Sequence, residues 1–339
     1  MYPLLRNLMF TLDAETSHHI GMTSLKWLEM SGLLGLIMPK IPTVPVHVMG
    51  LRFPNPVGLA AGLDKNADYL EALTTLGFGF IEVGTVTPRP QPGNAKPRLF
   101  RLPEAQAIIN RMGFNNLGVN HLLEQVQAAQ TDAIIGINIG KNVDTPVERA
   151  LDDYLIGLEK SYPHADYITI NISSPNTPGL RNLQFGEALD NLLDALKKRQ
   201  SELAEQYQRY VPMAVKVAPD LTVEEVQQLS ECFSRFKIDA VIATNTTLNR
   251  DAVAGLTHAD EAGGLSGKPV FAKSTEIVRQ FRQALPADMP IIAAGGIMSA
   301  EDAMQKLEAG AQLVQIYSGL IYQGPKLIQD IVKTFQKRR

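Results

Sequence analysis

With 339 residues, 45% of them hydrophobic, the chain can bury a substantial core; that length would suit two average domains, but α/β barrels commonly run to about 250 residues as one. The near-balanced formal charge of −3 gives no electrostatic reason to expect a nucleic-acid partner. Cys232 is the single cysteine, so an intrachain disulfide is excluded, and no stretch approaches the roughly 18 uninterrupted apolar residues of a membrane-spanning helix.

Leu4, Leu5, Leu8, Met9 and Leu12 share one helical stripe. Asp13 to Ser17 interrupts it with cap-type residues, and a second apolar stretch runs from Ile20 to Met38 through Trp27 and Leu33-Leu34 until Pro39 ends it. Residues 1–38 are therefore expected to form two short amphipathic helices, packed on the main domain or facing a membrane surface or lipophilic substrate. A secretory signal is not expected, because Arg6 is the only early basic residue and Asp13 and Glu15 follow it. Between the prolines of 39–56, Val44, Val46, Val48, Leu51 and Phe53 alternate around Met49-Gly50, which predicts a hairpin covering the floor of the next domain or linking it to the helices.

From Val57 onward short β-rich runs alternate with helical segments. The runs are VGLAA (57–61), FIEVG (80–84), IIGINI (134–139), YITINI (167–172), MAVKV (213–217), AVIAT (240–244), IIAA (291–294) and LVQIY (313–317). Near-continuous apolar runs separated by crossover helices indicate a parallel sheet covered on both faces, and eight such units favour a closed (β/α)8 TIM barrel over residues 39–339. A barrel gathers its strand C-termini around one mouth. The residues there are Ala61, Gly62 and Lys65, then Thr85, Asn138 and Asn171, then Lys216, Thr244-Asn245, Gly295-Gly296 and Tyr317-Ser318.

Glycines after the seventh and eighth strands suit a phosphate held by backbone N–H groups, since a Cβ would keep the main chain away. The segment Gly263 to Gly267 adds a second glycine-rich loop, which could equally be an ordinary flexible turn. Lys216 at an inner strand end is costly to desolvate unless an anion faces it. It suits a reduced flavin, or alternatively a Schiff-base lysine. Asparagine-rich segments at 110–116, 171–179 and 244–247 offer paired donors and acceptors for a polar, uncharged ring.

The segments GLAAGLDKN (58–66), EVGTVTPRPQPGN (82–94), INRMGFNN (109–116) and NISSPNTPGLR (171–181) closely resemble the dihydroorotate dehydrogenases, specifically the membrane-associated quinone-reducing class 2. VKVAPD (215–220), ATNTT (243–247), GGLSG (263–267) and VQIYSG (314–319) extend the resemblance, in order, over essentially the whole chain. The resemblance implies an FMN cofactor contacted by Ala61, Gly62, Lys65, Thr85, Asn138 and Asn171 from the first four units. From the last four it adds Lys216, Thr244, Gly267, Gly296, Tyr317 and Ser318.

The resemblance further implies that dihydroorotate is held by Lys65, Asn110, Arg111, Met112, Gly113 and Phe114, together with Asn171, Asn176, Asn245 and Thr246. Ser174 aligns with the family's base, taking a proton from C5 while hydride leaves C6 for flavin N5, with a water near Thr177 as relay. The runner-up is the soluble, fumarate- or NAD-linked class, which by resemblance has cysteine as its base and is disfavoured by serine at 174, with Cys232 in a helical segment. It is disfavoured too by the 1–38 extension, which by resemblance guides ubiquinone to the flavin and touches membrane lipid. His18 and Arg101 are candidates for the quinone head. With no four-cysteine cluster for an iron–sulfur centre, electrons are expected to pass directly from flavin to quinone. The implied activity is dihydroorotate:quinone oxidoreduction to orotate in pyrimidine (UMP) biosynthesis, peripherally on the cytoplasmic side of the inner membrane. A Schiff-base barrel aldolase or a non-catalytic binding protein remains the alternative from another class.

Overall fold

The computed structural model describes residues 2–339. Three helices open the chain: α1 (Tyr2–Met9), α2 (Ala14–Met30) and α3 (Leu33–Ile37). Two were expected. The second apolar stretch breaks at Gly32, whose φ of 72° lies in the left-handed region, outside helical backbone. Asp13 caps α2, accepting from the Glu15 and Thr16 amides, so Glu15 to Ser17 belong to the helix rather than interrupting it.

The expected hairpin is present as β1 (Val46–Val48) and β2 (Leu51–Phe53), antiparallel across Met49-Gly50. Both turn residues have positive φ, 55° and 76°, as a tight two-residue turn requires. Val48 and Phe53 pack against Phe80, Tyr167, Ala214 and Leu313, which lie at or near the starts of barrel strands, so the hairpin seals the barrel floor.

The barrel strands in chain order begin with β3 (Val57–Leu59) and β4 (Phe80–Val86). Two strands outside the barrel follow, β5 (Leu99–Leu102) and β6 (Ala107–Asn110). The barrel resumes with β7 (Ile134–Ile139), β8 (Tyr167–Asn171), β9 (Met213–Val217) and β10 (Ala240–Ala243). After the outlying β11 (Gly264–Gly267) it closes with β12 (Ile291–Ala294) and β13 (Leu313–Ile316). The eight barrel strands are parallel and hydrogen-bonded in chain order, β13 returning to β3. Nearly every barrel-strand residue is buried, because one face meets the interior and the other the surrounding helices.

The remaining three strands form an antiparallel sheet, β11-β6-β5, assembled from the segments that follow β4 and β10. The segment expected to be a glycine loop at 263–267 is thus largely a strand. Gly263 and Gly264 run close beside Asn110 and Thr246: a Cβ at Gly263 would lie 2.2 Å from the Asn110 carbonyl oxygen, and one at Gly264 would lie 1.9 Å from Thr246 Oγ1. Glycine here permits close chain approach.

Candidate active site

The barrel mouth holds a cavity of about 1080 Å³, its open entrance included. Ala61, Gly62, Lys65, Thr85, Asn171 and Lys216 line it from the first, second, fourth and fifth barrel units. Thr244, Gly267, Gly296, Tyr317 and Ser318 complete the ring. Asn110, Met112, Gly113, Phe114, Asn176, Asn245 and Thr246 share the same cavity, and Ser174 lies with them.

Four of the expected residues do not line it. Asn138 is fully buried one layer below, bonded to Thr85 and Asn171. Arg111 does not line the cavity: its guanidinium pairs with Glu261 at 2.7 Å and stacks 4.6 Å over the Phe100 ring. Arg101 donates to the carbonyls of Met9 and Leu12 and covers Phe10, which anchors the link between α1 and α2. His18 lies on α2, where burial, Lys65 and His19 push its imidazole down to about 3, so it is neutral.

One end of the cavity is built from glycine. Gly295 and Gly296 have φ of 110° and 77°, and a Cβ on Gly296 would lie 2.4 Å from the Phe271 Cα. Ser318, which opens the short helix Ser318–Gln323, has its hydroxyl 2.9 Å from that of Ser266 on β11. Backbone amides and two hydroxyls in such a cradle suit a phosphate.

At the other end, Asn176 donates to the backbone and side-chain oxygens of Asn110 at 3.1 and 3.2 Å, joining the segment after β8 to the one after β6. Ser174 is buried, and its hydroxyl oxygen accepts from the Asn176 amide at 3.2 Å. Thr177 is buried nearby in sequence. Asn245 donates to Ser173 Oγ at 3.0 Å. Two buried polar atoms among the lining residues, Thr246 Oγ1 and Gln315 Oε1, have no hydrogen-bond partner. Unpaired buried polar atoms are costly, and here they mark places for a ligand's complementary groups.

Two cations set the electrostatics. Burial pushes the Lys65 ammonium down to about 8; Arg98 adds to this, while Glu15 and Asp64 oppose it. Burial also pushes Lys216 down, opposed by Glu82, whose carboxylate oxygen lies 3.8 Å away. Glu82 was not singled out as a site residue in the sequence. A lone acid within an otherwise apolar strand was the available signal, the same one that marked Lys216. Arg98 and Glu15 were also missed; they form a buried pair at 2.8 Å that ties α2 to the segment before β5.

A flat polar ring with a phosphate tail fits this donor set: glycine cradle, orphaned acceptors, two buried cations and asparagine amides. The cavity belongs to a chain with close relatives. It is 58% identical over 337 residues to the dihydroorotate dehydrogenase (quinone) of Dechloromonas aromatica, covering 98% of this chain and 97% of that one. It is equally 58% identical over 339 residues to that of Azotobacter vinelandii, covering 100% and 98%. Its fold superposes on the crystal structure of DHODH from Eimeria tenella in complex with ferulenol with a TM-score of 0.87. The identity there is 36%, over 96% of this chain and 91% of that one. Residues 43–338 match the dihydroorotate dehydrogenase family, and the chain belongs to that family.

Proposed function

We propose that this chain is a dihydroorotate:quinone oxidoreductase that oxidises dihydroorotate to orotate with FMN and hands the electrons to ubiquinone in pyrimidine biosynthesis. The observation that carries this reading is the convergence of Ser174, Lys65, Lys216 and the glycine cradle on one cavity, in a chain whose relatives carry that name over their full length. When bound, FMN supplies a two-electron acceptor.

The chain's own groups do the rest. Gly295, Gly296 and Ser318 hold the phosphate; Lys216, Thr244 and Asn171 hold the polar ring edge. Lys65 faces the substrate carboxylate as an ammonium, and Asn110, Asn176, Asn245 and Thr246 orient the substrate ring. Ser174 takes the C5 proton. Support for this role is that Ser174 lines the cavity and is buried beside Asn176, whereas Cys232 does not line it. The cysteine lies in the helix Val223–Arg235, donates to Asp190 and has its thiol pushed up to about 11 by burial.

The N-terminal helices serve the acceptor. Leu4 is 76% exposed, Trp27 66% and Leu36 82%, although α2 also packs inward through Met22 and Glu15. No helix among the described residues is long and apolar enough to cross a membrane. An apolar surface on short helices fits a peripheral position on the inner membrane, on its cytoplasmic side, with lipid and quinone meeting residues 1–38.

Anaerobic mixing of purified protein with dihydroorotate tests the whole reading. Flavin absorbance should bleach, a ubiquinone analogue should restore it, and fumarate should not. Recovery with fumarate would move the chain to the soluble class. A colourless protein trapped on Lys216 by borohydride would replace the reading with a Schiff-base enzyme.

A further inference from the structure

Glu82 projects from the middle of β4 into the barrel interior and is completely buried. It does not line the cavity, but four donors converge on its carboxylate. Asn138 Nδ2 reaches Oε1 at 2.8 Å. The Tyr167 hydroxyl at 3.0 Å, the Thr169 hydroxyl at 3.2 Å and Gln315 Nε2 at 2.7 Å all reach Oε2. The Lys216 ammonium lies 3.8 Å from Oε1. Two amide nitrogens, two hydroxyls and a nearby ammonium suit a carboxylate, both of whose oxygens accept.

Its orientation propagates upward. Asn138 gives its amide nitrogen to Glu82, so its Oδ1 accepts from Thr85 Oγ1 at 2.5 Å and Asn171 Nδ2 at 3.2 Å. Asn171 also donates to Thr85 Oγ1 at 2.8 Å, which leaves its own Oδ1 for the Ser173 amide and hydroxyl, both at 3.3 Å. Ser173 Oγ in turn accepts from Asn245. One acidic residue beneath the cavity thus decides which face of two asparagines is donor and which acceptor.

We propose that Glu82 is a positioning residue for the redox chemistry of the cavity. Its carboxylate fixes the polarity of the Asn138–Thr85–Asn171 chain. It also offsets the charge of Lys216, holding the bound flavin's reduction potential below the value the lysine alone would set. This inference rests on the flavin reading above. Charge beneath a desolvated cavity acts strongly on a redox group there, because little water screens it. Removing a negative charge favours the more negative, reduced state. Tyr167 cannot substitute for the acid: burial and the Glu82 charge push its phenol far up, so it remains a neutral donor.

The test is the flavin midpoint potential of Glu82→Gln, Glu82→Asp and wild type, measured by dye equilibration. A glutamine can be accommodated with its oxygen toward Asn138, since the Tyr167 and Thr169 hydroxyls at the other position can accept from the new amide as well as donate. Glu82→Gln should favour reduced flavin about tenfold at equilibrium, a rise of about 30 mV for a two-electron couple. Glu82→Asp, which keeps the charge, should stay within about twofold of wild type. Reoxidation by quinone should be slowed more than reduction by dihydroorotate in Glu82→Gln, whereas a loosened fold would slow both alike.

If Glu82→Gln does not fold, Glu82→Gln/Lys216→Met, which buries no lone charge, is compared with Lys216→Met. The double variant should show the same tenfold shift. Equal potentials in either comparison, or equal shifts in Glu82→Gln and Glu82→Asp, would overturn the proposal. Wild-type protein without flavin would instead overturn the functional reading beneath it.

Discussion

Ser174 has the Asn176 amide as its hydrogen-bond partner, with no imidazole or carboxylate bonded to its oxygen. A serine without an adjacent base depends on enclosure and on neighbouring hydroxyls to pass its proton onward. Ser174→Ala should therefore fold, keep its cofactor and reduce flavin with dihydroorotate about 10²–10⁴-fold more slowly, as stopped-flow absorbance would show. Near wild-type bleaching would remove this hydroxyl from the reaction. Lys65 makes a separate prediction. Its ammonium, brought down to about 8 mainly by burial, is charged below that pH and neutral above it. An anionic substrate needs the charged form, so kcat/KM for dihydroorotate should fall as pH rises through about 8. Lys65→Met should be low throughout, with that falling limb absent.

Among the elements, α1 to α3 are fastened on one face and leave apolar side chains exposed on the other. Glu15 on α2 fastens them inward to Arg98. Burial alone would raise its carboxyl, and the Arg98 guanidinium, with Lys96, outweighs that and holds it below the usual range. Glu15→Ala would leave the Arg98 guanidinium buried without its counter-ion and should cost about 3–5 kcal/mol in a denaturant titration. The outward faces tell the opposite story. Leu8→Asp with Leu36→Asp, at side chains 66% and 82% exposed, should leave folding and flavin bleaching by dihydroorotate intact. Binding to anionic lipid vesicles should fall and the KM for a ubiquinone analogue should rise, each about tenfold. Unchanged quinone kinetics would separate the helices from the acceptor.

The eight barrel strands were legible because strands buried on both faces read as continuous apolar runs, and each ends on polar residues that the barrel must gather. The β5-β6-β11 sheet was not. Its β6 and β11 pair Asn110 with Gly264, far apart in sequence, and glycine-rich β11 has neither alternation nor β-branched residues to announce it. Arg111 was misplaced for a related reason. Its neighbours Asn110 and Met112 line the cavity, but the charged partner that draws its side chain away, Glu261, lies in the distant segment preceding β11. Long-range pairing of this kind leaves no local pattern.

Across the whole molecule, stability carries an alkaline signature. Lys306, on the helix Ala300–Glu308, is fully buried, and its ammonium donates to Ser274 Oγ at 2.5 Å. Burial, reinforced by Arg279 and opposed by Asp302, brings it down to about 7. Its folded pKa is thus below the unfolded value of about 10.4, so the unfolded chain binds more protons between them and stability rises with pH over that interval. Lys65 and Lys216 shift in the same direction. The thermal midpoint should climb from pH 7 toward pH 9.5, and Lys306→Met should flatten part of that slope.

The hairpin that plugs the barrel base turns the interior into a cul-de-sac. With Val48 and Phe53 stoppering one end, whatever lies deepest goes in first and comes out last. Anything that reaches Lys216 and Gln315 must therefore pass inward and outward through the single mouth formed by the strand C-termini.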